Sequence, residues 1–192
     1  MRHLAPLFLS LVVSLSYAET DSSTIAPSEE TPFTQNYLKT IESFADADKA
    51  VIYLLSHETK PVEPSPQWHT SLADDEFPLR ATNQKAKTLK SRELTGPELA
   101  ELITFFREAK VEPIGTKTTH AATPVHAVRF YQGETVLFET SICWMCRLAS
   151  LPTPDQSHGW TTFYNRDLKK FFMREMPIPR AVIEEFATKM GK

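Results

Sequence analysis

The sequence predicts an α+β fold with a mainly antiparallel sheet, a central β-hairpin and three to four packed helices. Apolar residues recur every three or four positions from Leu99 to Ala109, which is typical of a helix. Two apolar runs flank a glycine between Val125 and Ile142, which is typical of a hairpin. Because helices and strands are mixed and the one strand pair that can be assigned is antiparallel, the pattern favours α+β.

The N-terminus has the pattern of a secretory signal peptide. A basic residue precedes an apolar run from Leu4 to Leu15, and small residues follow at Ser16 and Ala18. The apolar run is too short for a bilayer, which needs about 20 residues. We therefore expect residues 1–18 to be removed and the mature chain to be exported, periplasmic or secreted, with no membrane span.

The remaining chain divides into a leader and one domain. Residues 19–34 are rich in Ser, Thr, Pro and Glu, so we expect a flexible leader there. Residues 35–192 then form a single globular α+β domain, since domains commonly have about 100 to 200 residues. The whole chain has 21 Lys and Arg against 24 Asp and Glu, a mildly acidic balance that disfavours nucleic acid as a partner.

The first half of the domain predicts a helix, a strand, a loop and a second strand. Leu38, Ile41 and Phe44 recur at helical spacing, and residues 49–56 form a dense apolar run of strand length. Four prolines between Lys60 and Pro78 predict a long loop, because proline lacks a backbone donor. Residues 85–94 read as a moderately polar strand.

The clearest helix begins after Thr95. Thr95 and Glu98 have the spacing of a capping box, with Pro97 in the first turn. The apolar stripe that follows ends before Pro113, and its members are Leu99, Leu102, Ile103, Phe106 and Ala109.

The hairpin joins residues 125–130 to residues 135–142, and its apolar pattern predicts a register. A three-residue loop, Tyr131 to Gly133 with the glycine left-handed, keeps the apolar residues on one face, whereas a two-residue loop splits them. The predicted pairs are Val128 with Val136, His126 with Phe138, and Phe130 with Glu134. One face then carries Val128, Phe130, Val136, Phe138 and Ile142, and the other carries Arg129, Leu137, Glu139 and Cys143.

The C-terminal part predicts a loop, a last strand and two helices. Pro152, Pro154 and Gly159 mark the loop, and residues 160–164 form the strand. Asn165 is a suitable N-cap for a helix, and Pro179 is a suitable start for the final one. The residues expected to point inward are Leu168, Phe171 and Phe172 in the first helix, and Val182, Ile183, Phe186 and Met190 in the second.

Both cysteines of the chain lie in one Cys-x-x-Cys motif, Cys143 and Cys146. An exported location favours a disulfide. Residues three apart in a strand are about 10 Å apart, whereas a disulfide needs Cα atoms within about 7 Å. A bond between them therefore requires the chain to turn at Trp144 and Met145, and the structural disulfide is the favoured interpretation.

Two chemical alternatives remain for the same cysteines. A thiol-disulfide oxidoreductase could use the pair, although the catalytic cysteine of such proteins begins a helix and no helix of useful length follows here. A zinc site could combine the pair with His120 and His126. The apolar surroundings of His126 favour a hydrogen-bonded core histidine instead.

The sequence favours a binding or interaction module over an enzyme, with no cofactor and with an unidentified protein or small-molecule partner. Large apolar residues on a tight turn are costly to expose without a use. Trp144, Met145 and the nearby Trp160 are therefore the candidate contact residues.

Residues 124–128 and 142–146 resemble a loose set of small bacterial proteins of unassigned function. These proteins share a histidine-bearing strand, a glycine turn and a returning strand that ends in Ile-Cys-Phe-x-Cys. Trp144 stands where they usually have phenylalanine. The resemblance implies the hairpin and carries no activity.

Overall fold

A computed structural model describes residues 32–63, 72–114, 122–153 and 157–190. These residues form four α-helices and one eight-stranded antiparallel sheet, so the α+β prediction is confirmed at that level. The predicted signal peptide and residues 19–31 of the predicted leader lie outside the described residues. The leader boundary is corrected, because the first helix already begins at Pro32.

The helices and strands have the following bounds. The helices are α1 (Pro32–Ser43), α2 (Gly96–Arg107), α3 (Arg166–Glu175) and α4 (Arg180–Met190). The strands are β1 (Lys49–Pro61), β2 (Glu76–Leu79), β3 (Gln84–Leu94), β4 (Lys110–Pro113), β5 (His126–Gln132), β6 (Thr135–Cys143), β7 (Leu148–Pro152) and β8 (His158–Tyr164). A single 3₁₀ turn, Arg80–Thr82, follows β2, and the strand order is β2-β3-β1-β5-β6-β7-β8-β4.

The helices pack on one side of the sheet, which we call the helix-covered face. An aromatic cluster forms its centre, where the ring of Phe44 stacks between those of Phe130 and Phe138, at centroid distances of 4.3 and 4.8 Å. Phe106 meets the Phe44 ring edge-on. The sheet residues on this face are Ile52, Leu54, Val128, Phe130, Phe138, Ile142, Ala149, Leu151 and Phe163.

The opposite side, the inner face, is partly covered by the sheet itself. The 3₁₀ turn follows the edge strand β2 yet contacts β7 and β8 near the other end of the strand order, so the sheet curls over this side. Strand alternation places Tyr53, Arg129, Glu139, Ser141 and Ser150 on the inner face.

The predicted hairpin register is wrong. The turn has two residues, Gly133 and Glu134, and the glycine adopts a positive φ of 57° that suits it. An extra residue in β6, Leu137, forms a bulge that returns Phe138 to the helix-covered face. The observed pairs are Gln132 with Thr135, Tyr131 with Val136, Phe130 with Phe138, and Arg129 with Glu139. Val136, predicted to face the core, is 44% exposed.

Two helix details also differ from prediction. Thr95 precedes α2 but its side chain makes no capping hydrogen bond, and Glu98 instead accepts a hydrogen bond from Arg92 at 2.7 Å. A competing ion pair therefore replaces the predicted capping box. In α4, Ile183 is exposed rather than buried.

Three short strands were not predicted. β2 lies in the segment expected to be a loop; its Pro78 is tolerated because β2 is an edge strand. β4 and β7 contain four and five residues, too few for a clear alternation in sequence. Within the described residues, no helix combines the length and the apolar character needed to cross a bilayer.

Candidate functional site

The chain reverses direction at the cysteines, as predicted. β6 ends at Cys143, a four-residue turn spans residues 144–147, and β7 begins at Leu148. Arg147 completes the turn with a positive φ of 55°. Cys143 is buried and Cys146 is half-buried.

Both cysteines are free thiols, and the described residues contain no pair at disulfide distance. The backbone N–H of Cys146 donates to the Cys143 sulfur at 3.4 Å. Burial, together with a hydrogen bond between the two thiols, raises the pKa of Cys146 to about 11. Because the thiolate is the reactive form, Cys146 is a poor nucleophile at neutral pH.

His126 is a hydrogen-bonded core histidine. The indole N–H of Trp144 donates to Nδ1 at 2.8 Å, so the ring proton belongs on Nε2, which lies 2.8 Å from the carbonyl oxygen of Met176. Burial lowers the pKa of His126 to about 4, although the Met176 hydrogen bond acts in the opposite direction. The imidazole is therefore neutral near pH 7 and ties the cysteine turn to the end of α3.

The structure does not favour the zinc alternative, because His126 is not free to bind a metal. Both ring nitrogens of His126 are engaged, one with the Trp144 indole and the other with the Met176 carbonyl. His120 lies outside the described residues. In the part of the chain that the structure describes, no three His, Cys, Asp or Glu side chains come together as a metal site.

The three predicted contact residues do not share a surface. The Trp144 ring packs on Phe172 and His126, whereas Met145 is 73% exposed. Trp160 pairs with Ser150 in β8, which places its side chain on the inner face. Trp144 and Met145 instead line a small apolar groove of about 270 Å³ with residues of α3 and α4, including Met173 and Phe186.

A larger cavity of about 670 Å³ opens on the inner face, and sequence reasoning did not find it. Its wall includes residues of the four neighbouring strands β5 to β8. Arg129 of β5 pairs there with Glu139 of β6, and Pro152 of β7 pairs with His158 of β8. The remaining lining residues are Tyr53, Leu72, Ala73, Asp74, Glu76, Arg80, Tyr131, Val136, Leu137 and Phe138.

Glu139 lies between two arginines in this wall and is only 7% exposed. Arg80 reaches it from the 3₁₀ turn, with Nε 2.6 Å from one carboxylate oxygen. Arg129 reaches the other oxygen at 2.8 Å from the neighbouring strand. The guanidinium of Arg129 also lies 4.9 Å from the ring of Phe77 and 5.8 Å from that of Tyr53, so aromatic faces hold it in place.

The cluster carries net positive charge. Burial lowers the pKa of Arg129, but its interactions with Glu139 outweigh burial and raise the pKa above its ordinary value. Two arginines against one carboxylate leave one positive charge. A buried charge cluster of this kind contributes little to stability, because desolvation offsets most of the Coulombic gain.

Two tyrosine hydroxyls add polar groups to the same wall. The hydroxyl oxygens of Tyr53 and Tyr131 lie 3.3 Å apart and share one hydrogen bond. Burial and this hydrogen bond raise the pKa of Tyr53, so its hydroxyl keeps its proton at neutral pH. One of the two hydroxyl hydrogens is donated within the pair, and the second is left over.

Part of this cluster had a signal in the sequence. The predicted hairpin placed Arg129 and Glu139 together on the face opposite the apolar residues, and that placement is confirmed. Arg80 is 59 residues away in sequence from Glu139, and no local pattern indicates their contact. Comparison with protein-family models, with curated proteins and with solved structures found no match for this chain.

Proposed function

We propose that this chain is a binding module whose ligand is a small molecule held in the inner-face cavity. The observation that carries the proposal is a cavity of about 670 Å³ in whose wall the buried Glu139 lies between the half-buried Arg80 and Arg129. Ligand pockets in proteins commonly measure about 300 to 1,000 Å³ and combine apolar walls with a few fixed polar groups. This cavity has both features.

The polar groups of the cavity exceed what the fold requires. The helix-covered face already supplies a continuous apolar core. A buried Arg–Glu–Arg cluster is expected to be neutral or costly relative to apolar residues of similar volume. A recognition role supplies the reason for Glu139 and its two arginines to occupy a buried wall.

Binding fits this wall better than catalysis. Both oxygens of Glu139 accept hydrogen bonds from guanidinium groups, so both already have partners within the protein. The two cysteines, the other candidates for chemistry, lie at the turn between β6 and β7 and are not among the described residues that line the cavity. We therefore assign recognition, rather than acid-base or thiol chemistry, to this chain.

A substitution that blocks the cavity tests the proposal. Ala73 is exposed and lines the cavity, so Ala73→Trp should fill its mouth without disturbing the core. The matched control is Ala100→Trp, at an exposed position of α2. A small-molecule library is screened by ligand-induced shifts of the thermal midpoint. Ligands of the unmodified chain should bind the control and fail to bind Ala73→Trp; equal binding by both variants would refute the site.

Export and a Cys143–Cys146 disulfide remain part of the proposal. The reversal of the chain at residues 144–147 and the close approach of the two thiols support a bond in an oxidising compartment. The test is the mass of the chain recovered from the periplasm of a bacterial host, measured after alkylation without reductant. An unalkylated mass, two hydrogens below that of the dithiol, supports the bond, and full alkylation of both cysteines contradicts it.

A further inference from the structure

We infer that the ligand of the inner-face cavity is an organic monoanion, a carboxylate on an apolar body. This inference rests on the proposed function, because it assigns a chemical class to the ligand of the same cavity. It is carried by the balance of charge and of hydrogen-bond donors in the wall, together with the apolar residues that line the rest of the space.

The charge of the buried wall favours an anion. Arg80 and Arg129 contribute two positive charges and Glu139 one negative charge, so one positive charge remains. Of the two acids nearer the rim, Glu76 is paired with Lys85 at 2.7 Å and Asp74 is exposed to water. Solvent screens an exposed charge far more than a buried one, so the wall dominates the field inside the cavity.

The hydrogen-bond donors and acceptors of the wall also favour an anion. Each arginine binds Glu139 through Nε, and the terminal nitrogens of Arg80 have no hydrogen-bond partner among the described residues. The Tyr53–Tyr131 pair leaves one hydroxyl hydrogen over. Both Glu139 oxygens already accept a hydrogen bond. The wall therefore has surplus donors, and a ligand that supplies acceptor oxygens is complementary to it.

The rest of the cavity fits an apolar body. Leu72, Val136, Leu137 and Pro152 line the space beside the charged cluster. A carboxylate group alone would fill only a small part of about 670 Å³. A monoanion with an aromatic or aliphatic portion uses both the donor surplus and these apolar side chains.

Three probes with one skeleton test the class of ligand. Naphthoate, naphthamide and naphthylmethylamine share a ring system and differ in charge. Binding is measured by calorimetry and located by NMR of the methyl groups of Val136 and Leu137. The inference predicts that naphthoate binds at these methyls roughly tenfold or more tightly than the amide, and that the amine does not bind, given the strength of charge-assisted hydrogen bonds.

Two variants and a control identify the groups responsible. Arg80→Gln should weaken naphthoate binding roughly tenfold or more, and Glu139→Gln should strengthen it, because the competing carboxylate is removed. Arg180→Gln, on the exposed surface of α4, should change nothing. Thermal unfolding of each variant shows whether it is folded.

The outcomes separate the class of ligand from the site. Equal binding of the amide or tighter binding of the amine at the Val136 and Leu137 methyls overturns the anion assignment while leaving the proposed site in place. Failure of all three probes to perturb these methyls overturns the anion assignment and, when the library screen also finds no ligand, the proposed function with it.

Discussion

The two faces of the sheet differ in how their buried polar groups are paired. On the helix-covered face, the buried polar ring of His126 has a partner on each nitrogen, and aromatic packing fills the rest. On the inner face, the hydroxyls of Ser141 and Ser150 are buried with no partner among the described residues, and a charged cluster lines a cavity. The difference indicates that the helix-covered face, with the larger apolar cluster, supplies most of the stability, whereas the inner face combines a smaller apolar cluster around Leu55 and Phe77 with polar groups that serve another purpose.

The largest effect on stability should come from the aromatic cluster. Phe44→Ala removes the ring that stacks between Phe130 and Phe138, and it should lower the free energy of unfolding by about 3 to 5 kcal/mol. Denaturant unfolding measures the change. Leu89→Ala, at an exposed position of β3, is the control and should cost less than about 1 kcal/mol. Similar losses for both variants would contradict the assignment of stability to the helix-covered face.

Acid should lower the stability of the fold through protonation of His126, on the helix-covered face. Its pKa is lowered from 6.5 to about 4 on folding, so the unfolded chain binds the proton more tightly. The resulting stability is fully present above pH 6.5 and is lost as the pH falls to about 4, by up to about 3 kcal/mol. The free energy of unfolding, measured by denaturant titration at several pH values, gives the size of the loss.

His126→Leu is the control for that titration. It should lower stability at pH 7 by about 2 to 4 kcal/mol, because the Met176 carbonyl and the Trp144 indole lose their partner. It should also flatten the decline with acid. An unchanged pH dependence in this variant would assign the acid sensitivity to other groups.

A smaller stability effect is expected on the inner face. Arg80→Gln leaves Glu139 paired with Arg129, and should reduce the free energy of unfolding by about 1 kcal/mol. Its main effect should be on ligand binding. A loss as large as that of Phe44→Ala would contradict the expectation that Arg129 alone is enough to pair Glu139 in the folded chain.

The smallest effect is expected at the cysteine turn. Met145 is largely exposed, so Met145→Ser should change the free energy of unfolding by no more than about 0.5 kcal/mol. Denaturant unfolding under the same conditions measures it. A larger loss would mean that this side chain has a packing role in the fold.

The sequence predicted elements whose cause is local. Asn165 caps α3 as expected, accepting hydrogen bonds from the backbone N–H groups of Asp167 and Leu168 at 2.9 and 3.0 Å. The dense apolar run of β1 formed where predicted, and so did the apolar stripe of α2 as far as Phe106, although the helix ends at Arg107, before the predicted Ala109. In each case, the residues that decide the element lie within a few positions of one another.

Features that depend on distant contacts were missed or wrong. The hairpin register follows from the bulge at Leu137, which lets Phe138 reach Phe44, and such packing has no local signature. The cavity needs Arg80, which arrives from the far edge of the curled sheet. The sequence therefore placed Arg129 and Glu139 on the correct face, but it predicted neither their pairing, nor their contact with Arg80, nor the space beside them.

Replacing the whole Arg80–Glu139–Arg129 cluster with apolar residues tests whether the cluster serves ligand binding rather than stability. The triple variant Arg80→Met, Arg129→Met and Glu139→Leu keeps similar side-chain volumes, and its free energy of unfolding and naphthoate affinity are measured together. We expect the triple variant to be as stable as the unmodified chain within about 1 kcal/mol, or more stable, and to have lost naphthoate binding. A fall of more than about 3 kcal/mol in a variant that still binds naphthoate would contradict it.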